Sequence, residues 1–161
     1  MARSSRSIAF APTAFLACSL AQAMESAPPT EPQALNRFLQ ASGYKSWARE
    51  SAPHPSRGPH PVTVLTYLNL AMQASLAAGN KEHPPGSAIV KELFDDKGKT
   101  RGWAVSVKTE AKSRLGKGWY WYEVLSPAPD AKADYAGQGL LLCSACHATG
   151  SDYVLTTFPL K

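Results

Sequence analysis

The central part of the chain, residues 87–125, reads SAIVKELFDDKGKTRGWAVSVKTEAKSRLGKGWYWYEVL. It contains runs of β-branched and aromatic residues, which are the residue types that favour strands. Short polar turns separate the runs, and the DDKG turn at 95–98 is the strongest signal among them. Consecutive strands joined by short turns predict an antiparallel meander. The predicted strands are residues 87–94, 102–109 and 118–125.

The alternation of side chains in these strands predicts a sheet that is covered on both faces. In residues 118–125, tryptophans alternate with tyrosines, so this strand is buried on both sides or lies under a large apolar object. In residues 87–94, Lys91 lies on one face and Glu92 on the other. Whichever face points inward therefore carries an ionisable group, which must be paired or hydrogen-bonded because burying it bare is costly.

The segments around the meander predict an α+β fold that is predominantly antiparallel sheet with a few helices. We expect Thr30 or Glu31 to begin the first helix and Gly43 to end it. The Pro-rich residues 49–61 predict no regular element. Residues 131–139 remain ambiguous, and the last residues, 152–161, are expected to pack. The other predicted elements are a helix at 33–44, a strand at 62–68, a helix at 69–78 and a short helix at 140–148.

Composition excludes several classes of protein. The 161 residues suit one domain, and 44% apolar with 18% charged residues is not the composition of a disordered chain. The formal net charge of +5 is scattered without a basic run, so we expect no nucleic-acid partner. Three cysteines exclude a disulfide-dense scaffold.

The N-terminus predicts export. Residues 1–23 carry a basic start, an apolar stretch at 8–20 and an Ala-Gln-Ala end, which is the pattern of a cleaved signal peptide. An uncleaved anchor and a lipoprotein cut before Cys18 remain alternatives. Cleavage after Ala23 leaves a Pro-rich flexible leader at 24–32, a domain at 33–161 and no membrane span. The expected location is the periplasm.

The pentapeptide Cys143-Ser144-Ala145-Cys146-His147 is the attachment pattern of c-type haem. Two thiols about one helical turn apart can add to the two haem vinyl groups, and the histidine that follows can bind the iron. A disulfide between Cys143 and Cys146 is the plainer alternative, since exported chains oxidise cysteine pairs. A thioredoxin-like redox pair is a third alternative, but the βαβ context that it requires is absent.

The sequence supplies no obvious second axial ligand for the iron. Residues 148–161 contain neither Met nor His. Met72 lies in a predicted helix and is expected to fill the core. His54, His60 and His83 lie in Pro-rich loops or turns and are expected at the surface. We therefore expect iron with an open distal face, which favours small-molecule binding over plain electron transfer.

A late haem motif preceded by strands resembles the cytochrome P-460 family, which includes the β-sheet cytochromes c′. The resemblance spans about residues 60–158 and implies a mostly antiparallel β fold that is often a homodimer, with His147 as the proximal ligand. Some members carry a Lys–porphyrin bond and oxidise hydroxylamine, whereas others bind nitric oxide. The segments that carry it are YLN (67–69), PGSAIVKE (85–92), VK (107–108), GWYW (118–121), CSACH (143–147) and DYV (152–154).

The resemblance and the strand pattern nominate further residues around the haem. Asp152 is a candidate acceptor for a hydrogen bond from the His147 imidazole, although it serves equally well as a turn residue. The lysine candidates for a porphyrin bond are Lys81, Lys91 and Lys108, and the candidates for a distal acid are Glu92 and Glu123. The aromatic residues that we expect to supply some haem contacts are Trp103, Trp119, Trp121 and Tyr153.

Three functions follow from these observations. The first is a periplasmic monohaem cytochrome that binds nitric oxide or a related nitrogen ligand, or oxidises hydroxylamine. The second is a simple electron carrier that works with a redox partner protein and whose sixth position is filled by water, Lys or a remote His. The third is a haem-free exported module with a Cys143–Cys146 disulfide.

Overall fold

The computed structural model describes residues 27–56, 58–60 and 63–161. The predicted signal peptide lies outside these residues, as do residues 24–26 of the predicted leader. In the described part of the leader Pro28 is buried, and Pro32 already belongs to the first helix. Within the described residues, no helix is long and apolar enough to cross a membrane.

The described residues form an α+β fold dominated by an antiparallel sheet, as the sequence predicts. The helices are α1 (Pro32–Gln40), α2 (Leu70–Ala77) and α3 (Leu141–His147). The strands are β1 (Ala48–Arg49), β2 (His54–Pro55), β3 (Thr63–Leu68), β4 (Ala88–Phe94), β5 (Thr100–Lys108), β6 (Trp119–Val124) and β7 (Tyr135–Gln138).

The sheet runs in the order β1-β3-β4-β5-β6-β7, and β2 pairs with the other end of β3. Every pairing is antiparallel, so the predicted meander of β4, β5 and β6 is confirmed. The expectation that residues 49–61 form no regular element is wrong, because β2 and the end of β1 lie there. These two-residue strands depend on pairing with β3, which local turn chemistry does not reveal.

One face of the sheet is closed by α1 and the segment that follows it. Leu35 and Leu39 of α1 are almost fully buried against it. Glu92 faces this core, where Lys45 Nζ lies 2.5 Å from its Oε2 and Thr100 Oγ1 donates to its Oε1 at 2.8 Å. The ionisable residue on this inward face is therefore paired, as burial requires.

Helix α1 has the predicted start but ends earlier than predicted. Glu31 is its N-cap, and its carboxylate accepts hydrogen bonds from the backbone N–H groups of the first turn. The helix stops at Gln40 rather than continuing to residue 44, because Ser42 adopts a left-handed conformation with φ of 59°. Gly43, which was expected to end the helix, therefore lies three residues beyond its last residue.

The opposite face of the sheet is only partly closed. Helix α2 covers one end, where Met72 is fully buried in a cluster with Trp119 and Trp121, so its predicted core role is confirmed. The N-cap Asn69 fixes α2 to the sheet, since its Oδ1 accepts from both the Met72 and the Ala88 backbone N–H groups. The other end of this face is open, and α3 stands at its edge.

Candidate functional site

A cavity of about 1360 Å³ occupies the open part of the sheet face. This volume exceeds the 300–1,000 Å³ that is usual for sites of drug-sized ligands, so a larger group can enter. The rim consists of residues 50–56 and 58–60, helix α3 and the tail at residues 155–157. The floor consists of two rows of side chains across the strands, Thr66–Lys91–Ala104–Glu123 and Ile89–Ser106–Trp121.

Helix α3 brings the predicted attachment residues to this cavity. Cys143, Cys146 and His147 all line it. The two cysteines lie three residues apart on a helix and therefore share a face, and both are free thiols. Burial raises the pKa of the Cys143 thiol to about 11. Redox-active CxxC pairs have a lowered cysteine pKa, so this environment does not favour the thioredoxin-like alternative.

The His147 imidazole is held in the form that binds metals. Its Nδ1–H donates to the carbonyl oxygen of Tyr153 at 2.9 Å, which leaves Nε2 as the unprotonated nitrogen. Burial lowers the pKa of His147 to about 4, because the charged imidazolium is poorly solvated there. The ring packs on Trp121 with a centroid separation of 4.7 Å.

The partner of His147 differs from the sequence prediction. Asp152 does not accept from the imidazole, because its carboxylate contacts Lys108, Ser113 and the His83 backbone N–H instead. The hydrogen bond to His147 comes from the next residue, through the Tyr153 backbone carbonyl. A carbonyl acceptor is common for metal-binding histidines, but no side-chain pattern signals it in a sequence.

His60 lies in the cavity rather than at the free surface, so its predicted placement is wrong. Its Nδ1 lies 2.8 Å from Glu123 Oε2, and the two side chains are 18% and 15% exposed. Its ring centroid lies 6.5 Å from that of His147. Trp121 and Glu123 are two residues apart in β6 and therefore point to the same face of the sheet. The two imidazoles lie next to each other above these two side chains.

The other two histidines have different environments. His83 is 1% exposed, so the prediction of a surface residue is wrong, and its Nδ1 lies 2.8 Å from Ser75 Oγ. His54 is 44% exposed in its side chain and pairs with Glu50 at 3.2 Å on the cavity rim. Glu50 also accepts the Thr66 backbone N–H at 2.7 Å, which ties the rim loop to the sheet.

The structure separates the three lysine candidates. Lys91 lines the cavity, and burial lowers its pKa while the Glu50 charge acts in the opposite direction. Lys108 points to the far end of the face, where it is fully buried against Asp152. Lys81 is exposed to solvent. Only Lys91 among them is therefore placed to meet a group in the cavity.

The acid and aromatic candidates also separate into those that line the cavity and those that lie elsewhere. Glu123 lines the cavity, whereas Glu92 lies in the opposite core and is excluded as a distal acid. Of the four aromatic candidates, Trp121 lines the cavity. Trp103 belongs to the opposite core, and Trp119 and Tyr153 pack in the cluster around α2.

These residues fit a covalently bound haem. Two unbonded thiols on one helical face and an imidazole with a free Nε2 open into one large cavity. The buried Nε1–H of Trp121 on the cavity floor has no hydrogen-bond partner among the described residues, as is typical where a bound group completes a site. The described residues contain no cluster of three or more His, Cys, Asp or Glu side chains arranged to hold a metal ion.

Comparison with known proteins adds no relative. The chain matches no protein family model and no curated protein.

Proposed function

We propose that this protein is an exported monohaem c-type cytochrome that carries its haem on Cys143 and Cys146, with His147 as an axial ligand. The observation that supports this proposal is the joint presentation of these three side chains to one cavity. The free state of both thiols supports it further, because a disulfide would remove the groups that bind the vinyl carbons. The signal peptide predicted at residues 1–23 is consistent with it as well, because c-type haem is attached outside the bacterial cytoplasm.

Different residues of the chain have different roles in this proposed site. The thiols of Cys143 and Cys146 would hold the haem, and His147 would bind the iron through Nε2, while the Tyr153 carbonyl orients the ring. Trp121 supports the imidazole from the sheet side. When bound, the haem iron supplies an axial position for a small ligand and one-electron chemistry.

The ligand that we propose is nitric oxide or a related small nitrogen compound, with hydroxylamine as the candidate substrate. Three groups that exchange protons line the cavity beside His147, namely His60, Glu123 and Lys91. Oxidation of hydroxylamine releases protons and electrons: a base of this kind would take up the protons, and the electrons would pass through the haem to the redox partner protein. Lys91 is the residue that we assign to a porphyrin bond if the protein belongs to the hydroxylamine-oxidising type.

A second function, electron transfer to a redox partner protein, is favoured by one observation. Two imidazoles that bind one metal ion at about 2.0–2.1 Å each have ring centres roughly 6 Å apart. The His60 and His147 ring centroids are separated by 6.5 Å. His60 Nδ1 also lies 2.8 Å from Glu123 Oε2, which places a carboxylate next to the ring without a hydrogen bond between them. In this case His60 fills the sixth position, and no open face remains.

The spin state of the ferric protein distinguishes the two functions. The full-length chain is produced in a bacterium that matures c-type cytochromes, and its optical and electron paramagnetic resonance spectra are recorded. A five-coordinate high-spin spectrum supports ligand binding. A six-coordinate low-spin spectrum that His60→Ala abolishes supports electron transfer.

His54→Ala is the matched control, because His54 forms a similar pair with Glu50 on the same loop. We expect its spectrum to equal that of the wild type in either case. Colourless protein from the wild-type gene, with Cys143 and Cys146 joined in a disulfide, contradicts both functions and supports the haem-free module. The periplasmic location and the homodimer belong to the same proposal and are tested by fractionation and by light scattering.

A further inference from the structure

We infer that the buried Lys108–Asp152 ion pair is a positioning device for His147, acting through the Tyr153 carbonyl to set the electron-donating strength of the imidazole. This inference rests on the proposed haem attachment. It assigns a role to a charged pair that touches neither the cavity nor the attachment motif.

The ion pair is closed off from solvent and fully hydrogen-bonded. Lys108 Nζ lies 2.7 Å from Asp152 Oδ2, and the two side chains are 0% and 1% exposed. The His83 backbone N–H donates to the same oxygen at 2.7 Å, and the Ser113 hydroxyl donates to Oδ1. Burial alone would raise the pKa of Asp152, but the hydrogen bonds from Lys108 and Ser113 outweigh this effect, so the net pKa lies below its ordinary value. Asp152 is therefore a carboxylate fixed from three directions.

This fixed carboxylate holds a strained turn. Asp152 and Tyr153 have φ values of 47° and 68°, in the left-handed region that residues other than glycine rarely adopt. Each such residue carries a conformational cost and persists only where its surroundings enforce it. Asp152 is enforced by the ion pair, and Val154 on the other side is buried in the core and bridges back to Ser151.

The turn determines where the Tyr153 carbonyl points. In this conformation its oxygen lies 2.9 Å from His147 Nδ1. An acceptor at Nδ1 fixes the ring and raises the basicity of the nitrogen that binds the metal. A more basic imidazole donates more electron density and stabilises ferric over ferrous iron. Relaxation of the turn would lengthen this hydrogen bond and make the iron easier to reduce.

The test is Asp152→Asn in the holoprotein. Asparagine has the same shape and no greater aversion to the left-handed region, so the substitution removes the charge that holds the turn without imposing a new backbone preference of its own. We expect a several-fold increase in the equilibrium constant for reduction of the iron and a lower iron–histidine stretching frequency in resonance Raman spectra. Glu92→Gln is the matched control, because it removes an equally buried carboxylate from its Lys45 pair on the opposite face of the sheet. It should destabilise the fold without changing either quantity.

An unchanged potential and stretching frequency in haem-loaded Asp152→Asn would overturn the inference, as would an equal change in Glu92→Gln. Should Asp152→Asn fail to fold, Ser113→Ala removes one hydrogen bond from the carboxylate and keeps its charge. Its expected change has the same direction and a smaller size, and no change there also refutes the inference. Absence of haem from the wild type instead refutes the proposed function.

Discussion

Trp121 is the side chain on which His147 packs, and its truncation provides a quantitative test of the candidate site. It is 3% exposed, and its ring packs on His147 at 4.7 Å and on Trp119 at 6.0 Å. Replacing a buried tryptophan by alanine costs about 3–5 kcal/mol through lost burial and the cavity that remains. This is a large part of the roughly 5–15 kcal/mol that stabilises a typical domain.

The phenylalanine variants separate packing from hydrogen bonding. Trp121 Nε1 is buried without a partner in the described structure, so Trp121→Phe loses no hydrogen bond; its cost comes only from the smaller ring and should lie below that of Trp121→Ala. Trp103 is the matched control in the opposite core, where its Nε1 donates to Tyr44 Oη at 2.8 Å. Trp103→Phe leaves the buried Tyr44 hydroxyl without this donor and should cost about 1–3 kcal/mol.

The assay is urea unfolding of the haem-free protein, with both attachment cysteines replaced by serine and the transition followed by far-ultraviolet circular dichroism. In parallel, the haem content of the exported variants is measured, and Trp121→Ala should carry less haem than either phenylalanine variant because His147 loses its support. A Trp121→Phe cost as large as that of Trp121→Ala would refute the packing argument. A cost equal to that of Trp103→Phe would refute the assignment of an unpartnered indole N–H.

Other expected outcomes concern charge and capping. The pKa of Asp152 in the folded protein lies below its ordinary value of 3.8. Its charged form therefore stabilises the fold above pH 3.8, and this stabilisation is lost as the pH falls through the folded-state pKa. Acid unfolding curves of Asp152→Asn should lack this loss. Burial lowers the pKa of Lys91 because its charged form is poorly solvated there, so Lys91→Met removes this penalty and should raise the urea midpoint of the haem-free protein at pH 7. An unchanged or lower midpoint contradicts that assignment. Asn69→Ala should lower stability by about 1–3 kcal/mol through loss of the cap and the Ala88 contact, measured by the same unfolding experiment.

The strands of the meander were predictable because their signals are local. Period-two alternation and the turn at residues 95–98 gave β4, β5 and β6 to within two residues. The edge strands were not predictable from their own residues. Strand β1 forms because Ala48 and Arg49 lie opposite Leu68 and Tyr67, a contact that depends on the whole fold.

The site was predictable where chemistry imposes a fixed spacing and not where it depends on tertiary placement. The two thiols and His147 follow from the motif, and the structure brings all three to one cavity. His60 and His83 were misplaced because the turn residues around them describe the local backbone and carry no information on what packs against it. Of the two roles predicted for Asp152, it has that of a turn residue, because the left-handed turn directs its carboxylate away from His147 and the following carbonyl towards it.

Covalent haem attachment is measured by mass spectrometry of the exported protein and of its proteolytic peptides. The proposal predicts a mature chain heavier by one haem, with the added mass on the peptide that contains Cys143 and Cys146, and loss of that mass when both cysteines are replaced by serine. A mature chain without haem, in which Cys143 and Cys146 are linked to each other, would contradict it.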